Sequence, residues 1–353
     1  MNTEELLIQR HKKYFNLTLG LLPAHIQKED SNKLLLVYCS LGGLSLLGYE
    51  FRDTERTDYI DFIYSHLVST GEGFRGSSTH QLPEKSVGYR YDPPTIANTY
   101  SALCCLAMLS DKFWLRLNKQ KIMNWVVRCQ RPDGSFASLL DLDGKPYGDG
   151  DLRQCYMALA IRRMLRYQDD ANDIDLDNCE SYIRASAVYD GGLGSYESHA
   201  GYTFCGLAAL NLIGRIVPDE WEQTIDWLAH RQIGYSEYNR ELLEYEFCDA
   251  NDQGGHNGRD NKFGDTCYSF WVTGSLSLLG RESIVDAPQL TNYLLGMTQN
   301  TIVGGFAKTE EDNPDPYHSF LALCALSLIG HPNLKQLDPT LVITKSATNF
   351  IDS

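Results

Sequence analysis

The chain has 353 residues, of which 43% are hydrophobic and 22% charged, and its formal net charge is −15 at pH 7. A chain of this length can bury the core of one large domain or of two ordinary ones. The acidic excess excludes a broad basic face, so we do not expect nucleic acid as a partner. No apolar run approaches the roughly 18 residues of a membrane span, and we expect no transmembrane segment.

The N-terminal stretch 1–15 carries acidic residues early and lacks the apolar core of a secretory signal. The ten cysteines are scattered, and most lie within apolar helical patterns. Such a distribution is typical of buried thiols in a reducing compartment rather than of a disulfide framework. We therefore expect a cytoplasmic protein.

An apolar segment that ends in Leu-Gly or a close variant recurs six times. Each copy is rich in Leu, Ala, Cys and Ser, a composition typical of a helix that is packed on most sides. A terminal Gly predicts a left-handed C-cap in four of the copies. The copies span 38–48, 100–110, 156–166, 204–214, 268–280 and 318–330.

More amphipathic helices and Gly-rich turns separate these copies. The helices are predicted at 58–68, 119–130, 177–188 and 218–232, and the turns at 71–76, 132–138, 190–195, 253–258 and 303–308. A repeat of helix, Gly turn and helix predicts a helical-hairpin array, either an open solenoid or a closed ring. Because no strand alternation competes, we predict an all-α fold in which residues 1–353 form a single domain. Segments 77–95 and 233–252 read as surface insertions.

Asp265 and Cys267 form a possible metal pair at the start of the fifth apolar copy. His318 begins the sixth copy at a nearly matching position, and adjacent repeats are neighbours in space. Asp, Cys and His with one open position would suit a catalytic zinc site. The alternative is a capping Asp, a core Cys and a His at a helix start.

Cationic residues gather in or just after the Gly turns, ahead of the apolar helices. Helix N-termini and Gly-turn amides already favour anions, so added cations suggest a phosphate or diphosphate site. Tyr268 could add a hydroxyl donor. The alternative is ordinary solvated turn charge. The cationic residues are His199, Arg259, Lys262 and Lys308.

Aromatic residues begin several apolar helices at the same ends as the charges. In a closed ring they would line a deep apolar funnel with an anion site at its rim, whereas singly each could be core packing. Funnel, anion rim and thiophilic metal together suggest a long apolar diphosphate and a thiol nucleophile. The aromatic residues are Tyr156, Tyr202, Phe204 and Trp271.

Three motifs resemble those of protein prenyltransferase β-subunits, and the likeness extends from about residue 10 to 335. They are ESHAGYTFCGLAAL at 197–210, NGRDNKFGDTCYSFWV at 257–272, and GGFAK with PDPYHSFLALCALSLIG at 304–330. The resemblance implies an α/α toroid that binds one zinc ion and works as an obligate heterodimer with a prenyltransferase α-subunit. Its expected activity is transfer of a prenyl group to a cysteine near a protein C-terminus.

The resemblance also assigns roles to individual residues. Asp265, Cys267 and His318 would bind zinc, which would lower the pKa of the substrate cysteine. Tyr268 and Lys308 would be catalytic because they stabilise charge on the leaving diphosphate. The implied diphosphate-binding set is His199, Arg259, Lys262, Tyr268 and Lys308; the isoprenoid-binding set is Tyr156, Tyr202, Cys205, Trp271, Leu35 and Leu321; the peptide-binding set is Arg153, Thr95, Ala97 and Tyr317.

Lys308 indicates which branch of the family the chain resembles. Farnesyl enzymes have an Asp there that helps bind magnesium, whereas type I geranylgeranyltransferases have a Lys, so magnesium should not be required. Leu35 and Leu321 stand where farnesyl enzymes carry Trp and Tyr, which would leave room for a twenty-carbon chain. We expect substrates to be geranylgeranyl diphosphate and CaaX-terminated proteins, such as small GTPases, often ending in Leu. The alternatives are a farnesyl or Rab-type β-subunit, a toroidal terpene cyclase, or a non-catalytic toroidal binding domain.

Overall fold

A computed structural model describes residues 5–22, 24–78, 93–169, 171–236, 241, 244 and 248–353. Over these ranges the α-helices in chain order are α1 Ile8–Gly20, α2 Lys33–Leu46, α3 Asp53–Tyr64, α4 Ile96–Met108, α5 Phe113–Arg116, α6 Lys119–Cys129, α7 Leu152–Met164, α8 Leu176–Ala185, α9 Ala200–Leu212, α10 Glu222–Ala229, α11 Thr266–Leu278, α12 Ala287–Asn292, α13 Pro316–Leu328 and α14 Lys345–Asp352. A π-helical turn extends α12, and 3₁₀ segments occupy Ala24–Asn32, Pro218–Trp221, Ala250–Asp252 and Glu282–Ile284.

The apolar copies form an inner ring of six helices within the described ranges. Helices α2, α4, α7, α9, α11 and α13 pack each against the next, and α13 packs against α2, so the ring closes. The small residues among the leucines let neighbouring backbones approach, which explains why these helices are buried on most sides. The predicted all-α toroid is confirmed, and the closed ring replaces the open solenoid.

The predicted C-caps follow each ring helix. Gly48, Gly214, Gly280 and Gly330 have φ between 64° and 81°, the left-handed conformation that glycine adopts without steric cost. The two copies without Gly use the same conformation, with φ of 56° at Ser110 and 49° at Arg166. All six ring helices therefore end in the same way, even where the residue is unfavourable.

Outer helices run back along the ring and lead into the Gly turns. After each outer helix an isolated β-bridge pairs the chain with the following turn; the pairs are Leu67–Phe74, Gln130–Phe136, Ala187–Leu193, Gln232–His256 and Gln299–Phe306. The Gly turns therefore gather at the end of the ring where the inner helices begin. We call this the turn end.

Short strands correct the expectation of a purely helical chain. β1 Ala137–Leu140 pairs with β2 Pro146–Gly150 around an Asp-Gly turn, in which the Asp141 carboxylate accepts hydrogen bonds from the amides of Asp143 and Lys145. Two-residue pairs also join β3 Phe306–Ala307 to β4 Pro314–Asp315, and β5 Leu337–Asp338 to β6 Ile343–Thr344. These hairpins lie in the connections between helices and do not interrupt the helical ring.

Most of the first predicted insertion and part of the second lie outside the described ranges. Residues 79–92 of the segment 77–95 and residues 237–240, 242–243 and 245–247 of the segment 233–252 are not described. Among the described helices, none is both long and apolar enough to cross a membrane. All ten cysteines are described, and all are free thiols, nine of them buried.

Candidate active site

Polar N-caps place a set of chemically active side chains at the turn end of the ring. Each of these caps accepts a hydrogen bond from an amide in the first turn of its own helix, a common way to satisfy helix N-termini. The caps are Thr95 for α4, Asp151 for α7, His199 for α9, Asp265 for α11 and Asp315 for α13.

Asp265, Cys267 and His318 converge as the sequence predicted. One candidate ligand atom from each lies within 4.8 Å of the other two, and His318 Nε2 is 3.3 Å from Asp265 Oδ1. Cys267 and His318 come from the first turns of adjacent ring helices, which explains why residues 51 positions apart meet. An oxygen, a thiol and an imidazole in this cluster fit the ligand set of a zinc site. Asp265 is also the capping residue that the alternative interpretation predicted, because its carboxylate accepts a hydrogen bond from the amide of Cys267 at 2.9 Å.

We call Asp265, Cys267 and His318 the trio, and the electrostatics of these three side chains favours a bound cation. Burial, and then the Asp265 carboxylate, raise the pKa of the Cys267 thiol well above its usual value. Burial alone would lower the pKa of His318, but its hydrogen bonds to Asp265 and Asp315 outweigh burial and raise it to about 9. In the absence of metal, a proton on the imidazole compensates the two carboxylates. A metal cation at the same place would replace that proton and stabilise the thiolate.

Asp315 supports His318 from behind. Its carboxylate lies 2.5 Å from His318 Nδ1 and also caps α13 by accepting from the His318 amide. A carboxylate that holds the far nitrogen of a ligating histidine fixes both the tautomer and the ring orientation. The sequence analysis did not assign Asp315, although its position matches that of Asp265 in the preceding repeat.

His199 and Tyr268 form a neutral hydrogen-bonded pair beside the trio. His199 Nδ1 accepts from the amide of Gly201 at 3.1 Å, so the ring proton lies on Nε2, 3.1 Å from the Tyr268 hydroxyl oxygen. Burial, and then the charge of Arg259, lower the pKa of His199, which keeps the ring neutral near pH 7. Burial raises the pKa of Tyr268 to about 12. The Tyr268 hydroxyl hydrogen is therefore available to donate to a ligand.

Two of the predicted cations, Arg259 and Lys308, lie beside this pair and Asp265. Arg259 pairs with Glu197 and is half-buried. Lys308 Nζ lies 4.0 Å from Asp265 Oδ2, with 54% of its side chain exposed. The backbone links these groups, because the Ala200 amide donates to the Gly258 carbonyl and the Thr266 amide donates to the Lys308 carbonyl. Lys262 lies in the same turn segment as Arg259.

An apolar cavity of about 660 Å³ opens beside the trio inside the ring. Its volume lies within the roughly 300–1,000 Å³ of typical small-molecule sites. Trp271 lines it one turn after Cys267 on α11, and Tyr317 lines it next to His318 on α13. The candidate metal site and the cavity are therefore contiguous.

Most of the residues predicted for the isoprenoid and the peptide line this cavity. From the isoprenoid set these are Tyr156, Cys205, Trp271, Leu35 and Leu321, and from the peptide set Arg153, Thr95, Ala97 and Tyr317. Tyr202 is not among the lining residues; its ring packs at a tilt against His199 and lies under the Arg153 guanidinium. Leu35 lies in the first turn of α2 with 37% of its surface exposed, whereas Leu321 is buried.

An aromatic belt surrounds the cavity, with one side chain from each ring helix. Ring centroids of successive members lie 5.1–5.8 Å apart from Phe320 through Tyr38, Tyr100, Tyr156 and Phe204 to Trp271. Sequence analysis missed Tyr38, Tyr100 and Phe320. A signal was present, since Tyr38, Tyr100 and Tyr156 each open an apolar copy.

A closed ring of six helical hairpins with a polar end and an apolar interior defines the α/α-toroid class of proteins. A family profile described as the prenyltransferase alpha-alpha toroid domain matches residues 6–343, and the chain belongs to this family. The resemblance identified in the sequence is thereby confirmed.

Two relatives and a solved structure resemble the chain over almost its whole length. The geranylgeranyl transferase type-1 subunit beta of Dictyostelium discoideum is 32% identical, covering 95% of this chain and 94% of the relative. The subunit of the same name from Arabidopsis thaliana is also 32% identical, covering 94% and 87%. The solved Candida albicans protein geranylgeranyltransferase-I complexed with GGPP has a TM-score of 0.91 and 38% identity and covers 99% of both chains.

Proposed function

We propose that this chain is the catalytic β-subunit of a type I protein geranylgeranyltransferase. It would transfer the geranylgeranyl group from geranylgeranyl diphosphate to the cysteine of a C-terminal CaaX sequence, in complex with an α-subunit. The observation that carries the proposal is the cluster of Asp265, Cys267 and His318 within 4.8 Å at the edge of an apolar cavity. Full-length similarity to type-1 β-subunits supports the same activity.

Asp265, Cys267 and His318 would hold one zinc ion. When bound, zinc lowers the pKa of a coordinated thiol and so supplies a thiolate nucleophile at neutral pH. The chain's own part is to position the ligands: the α11 cap fixes Asp265, and Asp315 fixes His318. Cys267 is buried and the side chains of His318 and Asp265 are only 14% and 12% exposed, and this low exposure strengthens their interaction with a cation.

The diphosphate would lie at the turn end, against Tyr268, His199, Arg259, Lys262 and Lys308. The orientation of His199 leaves the Tyr268 hydroxyl hydrogen pointing away from the pair, available to a phosphate oxygen. As the bond between C1 and the diphosphate oxygen breaks, negative charge grows on the leaving group, and preorganised donors and cations stabilise it. Lys308 would supply the positive charge that, by the family resemblance, a magnesium ion supplies in farnesyl enzymes.

The prenyl chain would occupy the apolar cavity, and the CaaX peptide would share its mouth. Arg153 is positioned by a bidentate contact with Asp151 and lies at the mouth with Thr95 and Ala97. These residues could contact the peptide C-terminus. The abundance of free thiols suits a reducing compartment, and we propose that the protein acts in the cytoplasm.

Other functions fit the described residues less well. A terpene cyclase would need an acidic protonating motif at the cavity, but Asp169 follows α7 at the opposite end of the ring; Asp170 lies outside the described residues. A purely structural toroid would have no need for a buried Asp, Cys and His cluster. Lys308 opposes a farnesyl or Rab-type assignment.

Co-expression with a prenyltransferase α-subunit tests the proposal. We expect the purified heterodimer to transfer geranylgeranyl to peptides ending in CaaL faster than farnesyl to either CaaL or CaaM peptides. Metal analysis should find one zinc per β-chain, lost in Cys267→Ala and retained in Cys324→Ala, a buried cysteine of α13 outside the trio. Preference for farnesyl diphosphate, or full zinc in Cys267→Ala, would contradict the proposal.

A further inference from the structure

The cavity is closed at its far end by the chain's own C-terminal hairpin. β5 and β6 enter the ring from the side opposite the candidate metal site, since the Lys335 amide donates to the Leu46 carbonyl at the end of α2. Ser45, also near that end, hydrogen-bonds Thr344 at 3.0 Å. The tip of this hairpin, Thr340–Val342, lies deep inside the ring, and Val342 lines the cavity. We call these three residues the hairpin tip.

Three tyrosines of the aromatic belt hold the hairpin tip. Tyr156 donates to the Thr340 carbonyl at 3.0 Å, Tyr100 to the Leu341 carbonyl at 2.9 Å, and Tyr38 to the Val342 carbonyl at 2.7 Å. The phenol oxygens also approach one another, at 3.3 Å between Tyr38 and Tyr100 and at 3.0 Å between Tyr100 and Tyr156. Each successive carbonyl thus has its own donor from a successive ring helix.

Hydrogen bonds from the rest of the hairpin and from neighbouring helices also fix the position of the hairpin tip. Asp338 accepts hydrogen bonds from the Thr340 amide and the Thr348 hydroxyl, and its carbonyl accepts from the Val342 amide. Asn211 of α9 donates to the Thr340 hydroxyl at 2.8 Å. A loop restrained on both sides cannot recede when a ligand presses on it, so it acts as a wall of fixed height.

Val342 occupies this wall in an unfavourable conformation. Its φ is 54°, in the left-handed region that β-branched residues rarely adopt, and only 3% of it is exposed. Strained backbone persists where surrounding contacts over-determine it, and often where function needs it. Glycine would satisfy this backbone better, so the isopropyl group is present despite a conformational cost.

We propose that the hairpin tip, with Val342 at the cavity, is the stop that sets how long a prenyl chain the pocket accepts. This inference rests on the proposed function. It adds a determinant of chain length that comes from neither Leu35 nor Leu321, and that lies beyond the last apolar repeat. The pocket's depth is then set by how far the C-terminal hairpin enters the ring.

Two substitutions at Val342 should move chain-length preference in opposite directions. Val342→Gly removes the side chain and suits the positive φ, so the pocket deepens without disturbing the fold. Val342→Leu lacks the β-branch that is most strained there and adds a methylene to the wall. Ser110→Gly is the matched control, because Ser110 has a φ of 56° but lies beyond the far end of α4, outside this cavity.

The experiment measures competitive binding of prenyl diphosphates with 15, 20 and 25 carbons to the assembled heterodimer. Because one methylene in an apolar pocket changes discrimination about tenfold or more, Val342→Gly should favour 25 over 20 carbons at least about tenfold more than the unmodified protein does. Val342→Leu should shift preference toward 15 carbons by a similar factor, and Ser110→Gly should change neither ratio. Unchanged ratios in the assembled Val342 variants would overturn the inference and leave the proposed function standing. Failure of the unmodified heterodimer to bind any of the three would overturn both.

Discussion

At the scale of single residues, the candidate metal site is built by giving each helix cap a second task. Asp265 and Asp315 satisfy amides in the first turns of α11 and α13, as capping residues ordinarily do. The second oxygen of Asp315 contacts His318 Nδ1, whereas in Asp265 the capping oxygen Oδ1 itself also lies 3.3 Å from His318 Nε2. Since the caps cannot shift without exposing helix amides, the ligand atoms are held before any metal binds.

Asp315→Asn separates the capping task from the task of supporting His318. Asparagine caps helices as well as aspartate does, so at saturating zinc, where no imidazolium proton needs the carboxylate, thermal stability should change little. Loss of the carboxylate should weaken zinc binding about tenfold to a hundredfold, because the ligating imidazole becomes less basic and less firmly oriented. Competition with a chelator of known affinity measures the effect. A loss of stability with unchanged zinc affinity would show that Asp315 serves α13 alone.

Lys308 should make the enzyme independent of magnesium. Its ammonium group is half-exposed and 4.0 Å from Asp265, so it reaches the edge of the candidate diphosphate site. Activity should therefore be nearly the same with and without added magnesium, while Lys308→Asp should be slow without magnesium and rescued by it. Lys335→Asp, at the opposite end of the ring, is the control. Its activity, like that of the unmodified protein, should be nearly the same with and without added magnesium. Strict magnesium dependence of the unmodified heterodimer would contradict this role.

At the scale of elements, α1 closes the outer layer by docking on the last Gly turn. Fully buried His11 stacks on Phe306 at 4.8 Å, pairs through Nε2 with Gln299, and accepts at Nδ1 from the Gly305 amide. Since Nδ1 is an acceptor, the ring is neutral in the folded protein. Burial accordingly lowers the pKa of His11 to about 4. The α1 contact thus requires an uncharged imidazole.

Stability should therefore fall as pH drops from about 6.5 toward 4. In that window the unfolded chain binds a proton at His11 and the folded chain does not, so lowering the pH favours unfolding. A shift from 6.5 to about 4 corresponds to roughly 3 kcal/mol at about 1.4 kcal/mol for each pKa unit. His256, buried with a pKa lowered to about 3, adds to the same window.

Urea unfolding between pH 7.5 and 4.5 measures this dependence. His11→Phe should keep the stacking on Phe306 but lose both hydrogen bonds, so it should be less stable at pH 7.5 and less sensitive to acid. His230→Gln, at an exposed position, should retain the full pH dependence. An equal slope in His11→Phe and the unmodified protein would rule out His11 as a source of the effect.

The ring and the metal trio were predictable because both follow from the repeat. Matching positions in adjacent apolar copies become spatial neighbours, so spacing alone brought His318 to Asp265 and Cys267. The hairpin tip was not predictable in this way, because it belongs to no repeat and its partners Tyr38 and Tyr156 are 304 and 184 residues away. The β1–β2 hairpin had a local Asp-Gly signal, but its few residues were outweighed by the helical periodicity around them.

At the scale of the whole molecule, several large exposed apolar side chains lie at the turn end. Many lie in the turns and loops that precede ring helices, and their exposed fractions run from 46% to 98%: Leu142, Tyr147, Tyr189, Tyr196, Phe263, Ile302 and Val303. Exposed tyrosines and aliphatics around a functional site are typical of a surface that another protein covers. The acidic net charge of the chain would also favour a partner with basic residues. We infer that the α-subunit of the proposed heterodimer covers the turn end and completes the rim of the site.

Charged substitutions at the two ends of the ring test where the α-subunit binds. Tyr189→Asp combined with Ile302→Asp places charges at side chains that are 89% and 82% exposed, so the β-chain itself should remain folded. A carboxylate that the interface buries without a partner costs at least about 1–2 kcal/mol, so the heterodimer should dissociate roughly tenfold or more readily. Leu115→Asp, at a 75% exposed residue near the opposite end, should assemble normally. Analytical ultracentrifugation across a dilution series distinguishes the two. The reverse result, with weakened assembly in Leu115→Asp alone, would place the α-subunit at the far end, away from the side chains on which transfer depends.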